Sequence, residues 1–150
     1  MQVDLEALRK RIRFAFAEAT PLTEITGLRR PEFTDDDSYD FSRALVGKKW
    51  SELPADVLFY HRESLAALNS EAYRAYVAAY LLASIASQDP FDRHGPDLRH
   101  YLVRSLEPGP VATERVSRLS LEQHAVLSDV LRVLGTVWHM PEATVAAEAL

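Results

Sequence analysis

Three tyrosines at helical spacing are the residues best placed for acid–base chemistry in this 150-residue chain. Tyr73, Tyr76 and Tyr80 recur at intervals of three and four, so one helix face carries all of them. A phenol held beside a base can serve as a general acid. His61, Glu63 and Arg74 are the ionisable groups nearest in sequence. One reading gathers His61, Tyr73, Arg74 and Tyr76 into a pocket on a central helix, serving a small ligand or an enzymatic reaction. The competing reading makes the tyrosines core aromatics whose hydroxyls find partners at the rim of the core.

Other catalytic patterns are weaker. Of the five histidines, His94 and His100 stand six apart, which is not the spacing of a helix-face metal pair. His61 and Glu63 are too close to share one helical face. His124 and His139 stand alone. With no Cys in the chain and no carboxylate at a matching offset, no three-ligand metal set forms. The acidic run fails as a calcium loop. Counted from Asp35, the sixth residue is Asp40 rather than Gly, and the twelfth is Val46 rather than Glu. Counted from Asp36, these places fall to Phe41 and Gly47. The chain has neither a Gly-rich phosphate loop nor a G-x-S-x-G elbow. No metal and no cofactor are expected. A helix-turn-helix can be drawn from Thr113 to Leu134, but its second helix offers Arg132 late, with Glu122 and Asp129 opposing phosphate. No nucleic-acid partner is expected.

The charge is concentrated. The net formal charge is −5, from 17 basic and 22 acidic residues. Glu32, Asp35, Asp36, Asp37 and Asp40 form a stretch without Lys or Arg, and outside it the basic and acidic residues balance. This segment reads either as a solvated, mobile loop or as an acidic contact surface. Such a surface raises the on-rate for a basic partner more than the affinity.

The elements that must position these groups are helical. Leu5, Leu8, Ile12, Ala15, Phe16 and Ala19 draw one apolar stripe, with Asp4 as N-cap and Thr20-Pro21 as the stop. A long connection, residues 20–38, carries all of these acids but Asp40, which stands at its edge. A short helix over Tyr39–Val46 follows, capped by Asp37 or Ser38 and stopped by Gly47. Ser51 can cap a helix with Pro54 in its first turn. That helix either runs on through Leu65 and Leu68 or breaks near His61. The helix from Glu71 to about Ser87 is apolar on most sides and therefore central. Asp97 can cap the next helix, and Pro108-Gly109-Pro110 breaks the chain. Ser120 and Gln123 fit a capping box, ahead of Leu127, Val130, Leu131, Leu134 and Trp138. Pro141 opens a last helix anchored by Val145, Ala146 and Leu150. No hairpin signal or strict alternation occurs. The expected fold is all-α: one domain over 1–150, a bundle of five to seven helices around residues 71–87. The uncharged run through Ala75–Ala86 falls short of the roughly 18 apolar residues a membrane span needs. With no secretory signal pattern and no Cys, a cytoplasmic location is expected.

Several of these residues also resemble a family of small bacterial proteins of unknown function. They are Gly47-Lys48-Lys49-Trp50, His61 with Leu65 and Leu68, Glu71-Ala72-Tyr73, Tyr76, Ala79-Tyr80-Leu81 and Leu119-Ser120-x-x-Gln123. That family shares a Gly-x-x-Trp entry, a Tyr-rich helix and a Leu-Ser-x-x-Gln helix near the C-terminus. The likeness covers about Leu5 to Leu134. The chain departs from it at Ala78, where the family has Pro, so a straighter helix is implied here. The resemblance implies a bacterial origin and one intact domain, and supplies no catalytic residue. Small size, acidity and the absent catalytic motifs favour a non-enzymatic interaction module. An immunity-protein or antitoxin-like inhibitor, or an adaptor, would fit, with Glu32, Asp35, Asp36, Asp37 and Asp40 as its contact. The alternatives are the Tyr/His/Arg pocket above and a self-associating structural subunit.

Overall fold

Side-chain caps and prolines set most of the helix starts. A computed structural model describes residues 3–24, 29–89 and 91–150. Helix α1 (Leu5–Ala15) opens where the Asp4 carboxylate accepts the Ala7 N–H. Helix α2 (Asp36–Leu45) opens at Asp35, which accepts from both the N–H and the hydroxyl of Ser38. A 3₁₀ turn at Trp50–Glu52 leads to α3 (Ala55–Tyr60), and a 3₁₀ stretch at Arg62–Ala67 follows it. Helix α4 (Ser70–Ser84) is capped by Asn69, and α5 (Gly95–Arg104) has Pro96 in its first turn. Helices α6 (Pro110–Ser117) and α8 (Pro141–Ala149) open on Pro, whose fixed φ suits that position. Between them α7 (Leu121–Val137) starts with the Ser120–Gln123 capping box.

The all-α expectation holds among the described residues, with seven α-helices of at least seven residues and the shorter α3. Helix α4 is central. It packs on α1, α3, α5, α6 and the Trp50 turn, while α7 packs on α1 and α8. One hydrophobic cluster draws on every helix except α6, whose Val116 packs against it. Ala72, Ala75, Ala78 and Ala79 are buried on α4, so neighbouring helices approach closely on several sides. At Gly135, a Cβ would run into the Thr144 hydroxyl, so α7 and α8 touch there because no side chain intervenes. No helix among the described residues is long and apolar enough to cross a membrane.

Several boundaries differ from the sequence expectation. Helix α2 begins at Asp36, not Tyr39, because Asp35 caps it. That start places Asp36 and Asp37 in the first turn, where the helix dipole favours acids. The helix after Trp50 takes the shorter course and breaks at His61. Ser51 caps nothing there; the Glu52 carboxylate accepts the Lys49 N–H instead. Helix α4 ends at Ser84, whose hydroxyl donates back to the Leu81 carbonyl. Helix α5 starts at Gly95, leaving Asp97 in its first turn. Val145 is no anchor. Ala143, Ala146 and Ala147 share the inner face of α8, and Val145 is 54% exposed on the other.

Candidate functional site

The acidic segment is not the loop that its composition suggested. Asp35 is an N-cap, and the two Ser38 donors hold its carboxyl below the usual carboxylate range. Asp36 and Asp37 occupy the first turn of α2 and Asp40 the second. Glu32 lies ahead of the helix and pairs with Arg30. Ser38, Phe41, Ser42 and Leu45 form the buried face of α2. By the helical period, Asp36 and Asp40 then point outward, Asp37 lies on the Phe41 edge, and Tyr39 lies on the other flank. None of Asp36, Asp37 and Asp40 forms an ion pair among the described residues.

Each flank of this face has its own chemistry. On one, the guanidiniums of Arg29 and Arg43 lie 5.5 and 5.8 Å from the Tyr39 ring centre. On the other, the His61 ring lies 5.2 Å from Phe41 and 4.8 Å from Tyr60. Burial pushes the His61 pKa down, and the nearby Asp40 and Asp37 carboxylates pull it back up. Asp37, Asp40, His61 and Tyr60 are therefore neighbours. Tyr60 is 78% exposed and Tyr39 43% exposed. The result is an acidic face edged by accessible aromatic rings.

The four residues of the pocket reading do not converge. Tyr73 and Tyr76 have no exposed surface. The Tyr73 hydroxyl lies 2.7 Å from Ser105 Oγ. Because the single Ser105 hydroxyl proton goes to the Leu102 carbonyl, Tyr73 is the donor. Tyr76 donates to the Leu45 carbonyl and accepts weakly from the Leu22 N–H. Arg74 is exposed and faces a separate cleft of about 540 Å³ with Glu18, Glu71 and Glu122. His61 belongs to the α2 face. Burial raises the Tyr73 pKa to about 12 and pushes Tyr80 higher still. Neither phenol is an acid at neutral pH. The tyrosines are core residues, as the second reading held, but their hydroxyls lie inside the core and not at its rim.

One cluster went unanticipated. Arg115, on α6, is 2% exposed. Its guanidinium donates to the carbonyls of Ser105, Ala66 and Leu68, at 2.7 to 2.9 Å. It also lies 4.6 Å from the Tyr73 ring centre. These carbonyls end α5 and the 3₁₀ stretch, where the backbone dipole is negative. Arg115 thus ties three elements together beneath Tyr73. The sequence signal was faint, because α6 is a short helix between Pro110 and Ser120 whose inward face pairs only the small Ala112 and Val116 with the arginine. Among the described residues, no group of three or more His, Asp or Glu side chains could hold a metal ion.

No protein-family model, curated protein or solved structure matches this chain.

Proposed function

We propose that the protein is an interaction module that docks a basic protein partner on the outer face of α2, as an immunity-protein or antitoxin-like inhibitor or an adaptor would. The observation that carries this reading is Asp40. Helix capping and the dipole account for Asp35, Asp36 and Asp37, but dipole effects fade beyond the first turn. Asp40 stands in the second turn, four residues after Asp36. Like charges at that spacing cost a helix about 0.2–0.5 kcal/mol. Arg43, three residues on, offsets that cost by a similar amount, so the carboxylate contributes little net to α2 itself, yet it extends the acidic face toward the exposed Tyr60 ring. Acid beside accessible tyrosine suits arginine and lysine, through ion pairing and cation–π contact.

The test leaves the Asp35 cap intact. The variant Asp36→Asn, Asp37→Asn, Asp40→Asn and the native protein are exposed to an immobilised arginine-rich peptide over a range of salt concentrations. The native protein should associate at a rate that falls steeply with salt. The variant should associate on the order of tenfold more slowly, with a flattened salt dependence. Equal rates and equal salt slopes overturn the reading.

A further inference from the structure

The turn joining α5 to α6 brings several cationic and N–H donors into one place. A cavity of about 270 Å³ there is lined by Arg30, Arg104, Val111, Ala112 and Arg115. Ala66, Arg104 and Ser105 also line a second cavity of about 390 Å³, edged by Phe33 and Tyr101. Arg30 and Arg115 both donate to the Ala66 carbonyl, so two cations lie side by side. Arg115 touches no carboxylate, and its buried Nε–H has no partner among the described residues. Arg104 is exposed, and its side chain makes no hydrogen bond or ion pair among them. Helix α6 starts at Gly109 without a side-chain cap, so its first turn offers the N–H groups of Val111 and Ala112.

We propose that this cavity binds the phosphate of a small phosphomonoester. Arg104 and Arg30 grip the phosphate oxygens, and the α6 N–H groups complete the cradle. The organic part of the ligand lies in the adjoining cavity against Phe33 and Tyr101. The donors favour a dianion over a carboxylate. Two guanidiniums and two backbone N–H groups match three oxygens and two charges better than two oxygens and one charge. Burial and the Arg30 charge both lower the Arg115 pKa, so an anion here would relieve a repulsion already built into the fold. Three carboxylates oppose the ligand: Glu107 on the cavity lining, Glu32 on Arg30, and Glu63, which lines the adjoining cavity and accepts from the Tyr101 hydroxyl. This site is separate from the α2 face, and either proposal can fail without the other.

The experiment titrates the ¹⁵N-labelled protein with phenyl phosphate, inorganic phosphate and benzoate. The amide signals of Val111 and Ala112 and the Arg115 Nε–H signal should move and saturate. Phenyl phosphate should bind several-fold tighter than inorganic phosphate, and benzoate most weakly. Arg104→Gln removes a side chain that supports nothing in the fold, and should weaken phenyl phosphate on the order of tenfold. Glu107→Gln should tighten it. Shifts that do not saturate, shifts elsewhere, unchanged binding in Arg104→Gln, or benzoate binding as well as phenyl phosphate would each overturn the proposal.

Discussion

The three tyrosines of α4 offer a test within one helix, because each hydroxyl has a different fate. Tyr80 is fully buried and its hydroxyl has no hydrogen-bond partner among the described residues. Burying an unpaired hydroxyl costs about 1–3 kcal/mol in proteins. Tyr80→Phe keeps the ring and its edge contact with Phe41, 6.4 Å between centroids, and should stabilise the protein by about 1 kcal/mol. Tyr76→Phe takes a donor from the Leu45 carbonyl. That carbonyl keeps its bond from the Lys48 N–H, so the loss should be about 1 kcal/mol. Tyr73→Phe removes one bond from Ser105, which still donates to Leu102, and should also cost about 1 kcal/mol. In a chain of this length 1 kcal/mol moves the melting temperature by about 2–4 °C. Urea unfolding followed by circular dichroism, with an unchanged m-value, would rank the variants Tyr80→Phe above native above the other two. If Tyr80→Phe falls below native by more than about 1 kcal/mol, the hydroxyl has a partner and the reasoning fails.

Alkaline pH should act on the same residues. Burial raises the pKa of Tyr73, Tyr76 and Tyr80, so the unfolded chain releases these protons first. Stability is then intact below about pH 10 and falls as pH rises above it, by about 1.4 kcal/mol per unit for each buried tyrosine. Absorbance at 295 nm should show these three ionising only as the helical signal collapses; ionisation in the folded state would contradict this. Gly135→Ala drives a Cβ into the Thr144 hydroxyl and should cost about 1–3 kcal/mol, most of it recovered by adding Thr144→Ala. A double-mutant cycle without coupling would count against that contact. Gly47 has φ +76° just past α2, so Gly47→Ala should cost about 1 kcal/mol in thermal melts. At His61, burial lowers the pKa, so its contribution is present above about pH 6.5 and lost as pH falls through the folded value. Asp37→Asn with Asp40→Asn should lower that pKa further in an NMR titration. No change would place the carboxylates away from the ring.

The architecture was legible because helices carry strong local signals. Asp4, Ser120 with Gln123, Pro141 and Gly47 act where their types and positions said they would. The apolar breadth of α4 foretold its central place. The acidic segment was harder. Asp35, Asp36, Asp37 and Ser38 are all competent caps, and local preference does not choose among them. Once Asp35 caps α2, a run that composition reads as loop becomes a helix start. The candidate pocket failed for a similar reason. Tyr73 and Tyr76 share a helix face with each other but not with Arg74, and hydroxyl partners such as Ser105 and the Leu45 carbonyl come from distant segments. Arg115 went unread because a lone arginine on a short helix gives no hint of burial, and the carbonyls that hold it lie up to 49 residues away.

The central claim is that the outer face of α2 receives a basic partner. The most direct measurement is a ¹⁵N-resolved NMR titration of the whole chain with an arginine-rich peptide. The account predicts saturable shifts centred on Asp36, Asp37, Asp40 and Tyr39, reaching Tyr60 and His61, and fading as salt is raised. Shifts centred on the Glu18, Glu71 and Glu122 cleft, or none that saturate, would contradict it.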